Sequence, residues 1–374
     1  MTPSRNPRAT PHSLGYRMPA EWEPHEATWL GWPHERTDWP GKFAPIPWVY
    51  AEIVRHLARV ERVRILVEGK DAEAGARRVL QKSGVNLAAV EFFRIPTNRG
   101  WTRDSGPIFV KNAAGEIAIT HWKFNAWAKY DDYQKDAAFV THANRRLKLP
   151  LWQPTAAWPQ QSTPQRKTLP QRIVLEGGSI DVNGRGTLLT TEECLLSPIQ
   201  ARNPGMSRDQ IETVLRDYLG ATNVLWLRNG IAGDDTHGHV DDLARFVDPS
   251  TVVTVIEQDP AEANYAPLQE NLALLKEMKD QSGHPLRIET LPMPEPVFFA
   301  SQRLPASYAN FYIANRIVLV PTFSDANDRV ALSTLANLFP DRQIIPIPCR
   351  DLVLGLGTIH CLTQQQPTFG SVTL

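Results

Sequence analysis

The order strand, hairpin, strand, helix, strand recurs along this chain roughly every 60–75 residues, and no other feature restricts the fold so much. Hairpin signatures stand at 108–111 with 117–120, around the turn Asn183-Gly184-Arg185-Gly186, at 239–247 with 251–256, and at 308–313 with 316–320. Helical spacing of apolar residues predicts helices near 49–60, 71–84, 134–147, 207–219, 267–281 and 327–338. Ser207 and Gln210 are spaced as a capping box. Each copy carries a polar or Gly-rich knot near its first strand: 29–32, 101–106, 176–179, 237–242, and Asn310 with the C-terminal loop. Packing such copies in a ring would bring the knots to one axis and leave no free domain boundary. Residues 18–374 therefore read as one α/β domain, preceded by a mobile arm over 1–17. The stretch 153–172, rich in Pro, Gln and Thr, reads as a surface excursion, because the same rhythm resumes at Ile173.

Forty basic and forty acidic side chains cancel, which argues against a nucleic-acid partner. No apolar run reaches membrane-spanning length. The first residues lack the apolar core of a secretory signal, and three cysteines with no metal-type spacing read as reduced thiols; the expected location is the cytoplasm.

The densest chemistry lies in Gly233-Asp234-Asp235-Thr236-His237-Gly238-His239-Val240-Asp241-Asp242, with two histidines, four carboxylates and no Lys or Arg. Such crowding raises carboxylate pKa values and is tolerated mainly where chemistry is done. If the segment is extended from Val240, His239 and Asp241 share a face, a base beside a carboxylate. His237-Gly238-His239-Val240-Asp241 also permits a metal-dependent hydrolase, although binuclear hydrolases with His-x-His-x-Asp continue with histidine where this chain has Asp242. A solvated acidic turn is a third reading. Cys194 and Cys349 read as small buried hydrophobes. Cys361 differs, because it follows Gly355-Leu356-Gly357-Thr358-Ile359-His360 and precedes a run of amides, as a nucleophile facing a pocket would. His360 reads as a packing or loop-positioning residue, since neighbours on an extended chain point apart. Arg103 and Asp104 form either a structural pair or, with Trp101 flanking, an anion for a cationic substrate. Glu176, ending an apolar strand, is either a buried hub or a second anchor.

Five motifs in order, MPAEWEPHEATWLGWP (18–33), WTRDSGP (101–107), EGGSID (176–181), DTHGHVDD (235–242) and GLGTIHCLTQQQP (355–367), closely resemble the agmatine deiminase, or bacterial-type peptidyl-arginine deiminase, family. The resemblance implies a pentein-type α/β-propeller with pseudo-fivefold units around a central channel. It implies Cys361 as nucleophile, His239 as general acid/base, Asp104 and Asp241 as the carboxylates gripping a guanidinium, and Glu176 as a further acid. Trp101, Asp235 and Gly357 fall beside the substrate. The implied reaction converts agmatine and water to N-carbamoylputrescine and ammonia through a covalent thiouronium, with no metal or organic cofactor. The implied partner is a small cationic guanidino substrate, and the implied state a homo-oligomer. Free or peptidyl arginine is the alternative substrate, and a non-catalytic guanidino-binding propeller the alternative function. Leu356 interrupts what is usually a glycine run, and His237 stands where Asn or Asp is common; both bear on substrate choice.

Overall fold

A computed structural model of the chain describes residues 9–158 and 169–370. Five sheets share one pairing order. In each, an antiparallel pair is extended by a parallel strand. The second sheet runs Ile108–Lys111, Ile117–Thr120, Leu151–Trp152, and the third Asp181–Val182, Thr187–Thr191, Asn223–Leu227. The fourth runs Ala244–Phe246, Thr251–Ile256, Arg287–Pro292, and the fifth Tyr312–Ala314, Ile317–Thr322, Gln343–Pro348. A parallel step needs a crossover. The helices Gln134–Leu147, Arg208–Leu219, Tyr265–Glu277 and Asp328–Leu338 supply it in turn.

The first sheet is built from both ends of the chain. His25–Gly31 pairs in parallel with Arg62–Val67, across the helix Ile46–Leu57, and antiparallel with Thr363–Pro367. Leu30 lies opposite Thr363 and Thr28 opposite Gln365. The C-terminal strand thus completes the unit that the N-terminal segment begins. The knot at 29–32 is accordingly the end of a middle strand, and the loop 352–362 occupies the place equivalent to the other knots.

Each functional knot lies immediately before the first strand of its sheet. Most are short helical turns: Thr102–Ser105, Gly177–Ser179, Val240–Asp242 and Ile359–Leu362. The expected strand from Val240 is therefore a turn, and the strand starts only at Ala244. The capping box forms as expected: Ser207 Oγ accepts from Gln210 N, and the Gln210 side chain accepts from Ser207 N at 2.9 Å. The helix Ile46–Leu57 turns Ile46, Tyr50, Ile53, Val54 and Leu57 inward, each nearly inaccessible. Burial of such side chains contributes about 1.5–3 kcal/mol apiece before conformational entropy is subtracted. Tyr16 is buried and Arg17 forms a β-bridge to Lys111, so packed chain begins ahead of Met18. Thr155–Ala156 pairs with Gln171–Arg172 at the base of the 153–172 excursion, and the expected surface stretch between them lies largely outside the described residues.

Candidate active site

Cys361, Trp101 and Asp104 line one cavity of about 270 Å3, together with Trp127, Asp235 and Leu356. The turn Ile359–Leu362 carries Cys361 with its side chain only 6 % exposed. Asn310 Nδ2 donates to Cys361 Sγ at 3.1 Å, and Asp241 Oδ2 lies 3.7 Å from the sulfur. Thr358 Oγ1 donates to Asn310 Oδ1 at 2.7 Å, and His360 N donates to it at 3.0 Å. One asparagine thus ties the nucleophile loop to the fifth sheet.

His239, Asp104 and Asp241 converge on the space that Gly178 leaves open. A Cβ at Gly178 would stand 2.6 Å from His239 Nδ1, 2.9 Å from Asp104 Oδ1 and 3.0 Å from Asp241 Oδ2. Gly178 N itself donates to Asp104 Oδ1 at 2.9 Å. Gly178→Ala is therefore expected to displace three groups together and lower kcat/KM about 100-fold while melting stays cooperative. Steady-state kinetics and a thermal scan on the variant check this, and wild-type kcat/KM would show that the three groups tolerate the shift.

Burial pushes Asp104 up, Asp241 and Glu176 add to that, and His239 opposes it; the carboxyl rests above its ordinary range. Trp127 Nε1 donates to its other oxygen at 2.9 Å. Asp241 is held below its usual range. Burial acts against this, but His360 outweighs it, helped by His239 and Arg245. Burial also raises Glu176, yet Arg202, with Nε at 3.1 Å, outweighs it and holds the carboxyl down. His239 is 1 % exposed, with Nδ1 at 3.8 Å from Asp104 and Nε2 at 3.7 Å from Glu176. Among the described residues, neither ring nitrogen has a hydrogen-bond partner. Burial lowers its pKa, but Asp104, Cys194 and Glu176 raise it well above the ordinary range. This environment favours the charged imidazole, with a carboxylate near each ring nitrogen.

His360 corrects the reading from extended geometry. It sits in a helical turn, with Nδ1 2.7 Å from Asp241 Oδ2 and Nε2 2.8 Å from Glu21 Oε2. Glu21 also meets Arg103 at 3.1 Å and Arg245 at 2.9 Å. This buried lattice fixes Asp241 from behind. Charges this deep do more for orientation than for net stability. Arg103 is thus a structural partner of Glu21, not of Asp104.

Sequence reasoning gave no role to Glu21, Trp127 or Arg202. Glu21 lies inside a motif, which is a signal of a kind; Trp127, a buried aromatic in the turn Ala126–Ala128, and Arg202, in a loop, stand outside the motifs and carry none. The four clustered aspartates take four different tasks. Asp234 accepts from Thr236, Gly238 and His239 N–H groups and shapes the loop. Asp235 lines the cavity, paired with Lys129 and the Tyr130 hydroxyl. Asp241 faces the sulfur, and Asp242 accepts from Asn310 Nδ2 at 3.0 Å.

The metal-hydrolase reading requires His237, His239 and Asp241 to converge, and they do not. His237, at φ 63°, reaches Ser197 Oγ at 3.1 Å and Glu193 at 3.6 Å. Among the described residues, the groups whose donor atoms lie within 4.8 Å of one another are Glu176–Cys194–His239 and Asp241–Asp242–Cys361, neither with His237. The Arg202 guanidinium on Glu176 already supplies the cation there.

Residues 17–367 match the Porphyromonas-type peptidyl-arginine deiminase family. The chain belongs to that family. This member is 35 % identical over 388 residues to the agmatine deiminase of Pseudomonas aeruginosa (strain LESB58), covering 97 % of this chain and 98 % of that one. The structure of the agmatine deiminase of Enterococcus faecalis is 32 % identical, superposes with a TM-score of 0.85, and covers 97 % of this chain and 99 % of its own. A cysteine-to-serine variant of the C. jejuni agmatine deiminase, with substrate bound, is 30 % identical with a TM-score of 0.81, covering 95 % and 97 %. The fold is the α/β pentein class expected for the family. Among the described residues, no helix of this family member is long and apolar enough to cross a membrane.

Proposed function

We propose that this chain hydrolyses agmatine to N-carbamoylputrescine and ammonia through a covalent intermediate on Cys361. The observation that carries the reading is the convergence of Asp104, His239 and Asp241 on the point that Gly178 vacates, with the Cys361 sulfur 3.7 Å from Asp241.

A guanidinium is flat, permanently charged and a poor electrophile, and its N–H fork suits paired carboxylates. Asp104 and Asp241 hold its plane, and the sulfur approaches the central carbon from the side. In the free site burial first, then Asp241, Asp242 and Asp104, push the Cys361 thiol well above its usual range; Asn310 opposes them. A docked guanidinium sets a positive charge against those carboxylates and beside the sulfur, so the thiol releases its proton to solvent as substrate arrives. The thiolate adds to the carbon. His239 gives its proton to one nitrogen, which leaves as ammonia, and a thiouronium remains on the sulfur. Neutral His239 then takes a proton from water, the hydroxide adds, and collapse releases the ureido product and regenerates Cys361. Glu176, held ionised by Arg202, keeps the imidazole in place and stabilises its charged form. Asp235 and Trp101 stand beside the substrate tail, with Gly357 giving the loop close approach to Cys361.

Ammonia release and ureido-product colour with agmatine test the reading, and an inactive wild-type chain ends it. The electrostatics also predict a pH effect. Without substrate, the rate of Cys361 alkylation by iodoacetamide is expected to be still climbing at about pH 9. A plateau reached near neutrality would mean a preformed thiolate instead. The three cysteines are free, which agrees with the reducing cytoplasm we assign to the enzyme, and we propose that it works as a homo-oligomer.

A further inference from the structure

We infer that Leu356 is a specificity-determining residue that restricts the site to guanidines on an unbranched alkyl chain, an inference that rests on the deiminase reading above. Leu356 sits at φ 68°, ψ 28°, in the left-handed region where a side chain with a Cβ is disfavoured. Among the described residues, two non-glycine residues with such φ values line the cavity, Leu356 and Trp127. Trp127 has an evident return for its strain, because its indole N–H holds Asp104. Leu356 makes no polar contact with its side chain, so its conformation needs another account.

The neighbours supply one. A Cβ at Gly355 would come within 2.8 Å of the Trp39 ring, and one at Gly357 within 3.0 Å of both Cys361 Cβ and Trp101 Cζ3. The loop is therefore pressed backbone-first against two tryptophans and the nucleophile. Of these three consecutive residues, Leu356 alone carries a side chain, and it remains half-buried on the cavity wall. Leu356, Trp101, Trp127 and Phe299 contribute an apolar collar to the cavity that Cys361, Asp38 and Asp235 also line. Methylene groups fit such a collar; a carboxylate or peptide group branching from the chain beside Leu356 would find no hydrogen-bond partner in that side chain.

The test compares wild type, Leu356→Gly and Leu356→Asn on agmatine, free arginine and a blocked arginyl peptide, with melting curves alongside. Glycine removes the collar and the strain together. It is expected to lower kcat/KM for agmatine about tenfold, mainly through KM, and to raise the arginine-to-agmatine ratio of kcat/KM by about tenfold or more. The melting temperature should hold or rise, whereas a residue kept only for packing would melt lower on truncation. Asparagine, which also tolerates the left-handed region, should raise KM for agmatine without loss of fold. An unchanged ratio in the glycine variant, with an active wild type, overturns this inference alone. A wild type inactive on all three guanidines overturns the deiminase reading and this inference with it.

Discussion

Cys361→Ser is expected to release ammonia from agmatine at least roughly 10,000-fold more slowly than wild type, with calorimetric binding of agmatine retained. The hydroxyl is isosteric enough to leave Asn310, Thr358 and the loop in place. It differs in acidity. Burial and three aspartates already press the thiol upward, and a serine hydroxyl starts far higher, so a bound guanidinium does not ionise it. In the proposed mechanism binding rests on Asp104 and Asp241, and the substitution alters neither side chain. Turnover by the serine variant within tenfold of wild type would remove Cys361 from the reaction.

The second large effect concerns the imidazole. His239→Ala is expected to lower kcat by about 1,000-fold or more, because in the proposed mechanism the same ring serves both ammonia departure and water attack. Among the described residues its two buried nitrogens have no hydrogen-bond partner, an unusual state for a polar group and one that substrate can relieve. The double variant with Cys361→Ala should be no slower than the poorer single variant, since the two act in one sequence of steps. Full additivity on a logarithmic scale would show that they act independently. Retained burst release of ammonia by His239→Ala in a single turnover would assign the departing proton to another donor.

Much of this was legible in order of residues. Strand pattern and helical spacing place the hairpin of Ile108–Lys111 with Ile117–Thr120 and the helix Gln134–Leu147 as the structure has them. Those signals are local, set by which face of a short segment is buried. The segment after His239 was read less well. Val240, Leu243, Phe246 and Val247 mixed with polar positions suggest a strand, but Asp234 collects three N–H groups and Gly238 adopts φ 88°, so the backbone turns. His239 and Asp241 converge all the same, on the space that Gly178 vacates. His360 was likewise read from an extended chain, and its true partners, Asp241 and Glu21, are 119 and 339 residues away.

By itself, then, the sequence determined the repeated units, the residue types brought to each knot, and the family whose motifs they form. The tertiary structure alone decided that Thr363–Pro367 closes the first sheet, that Glu21 and His360 brace Asp241, that His237 leaves the site, and that Leu356 faces the cavity. The reason is physical. Periodicity reports how a segment meets water over a few residues, whereas these four outcomes depend on which distant segments pack together, and no local pattern carries that.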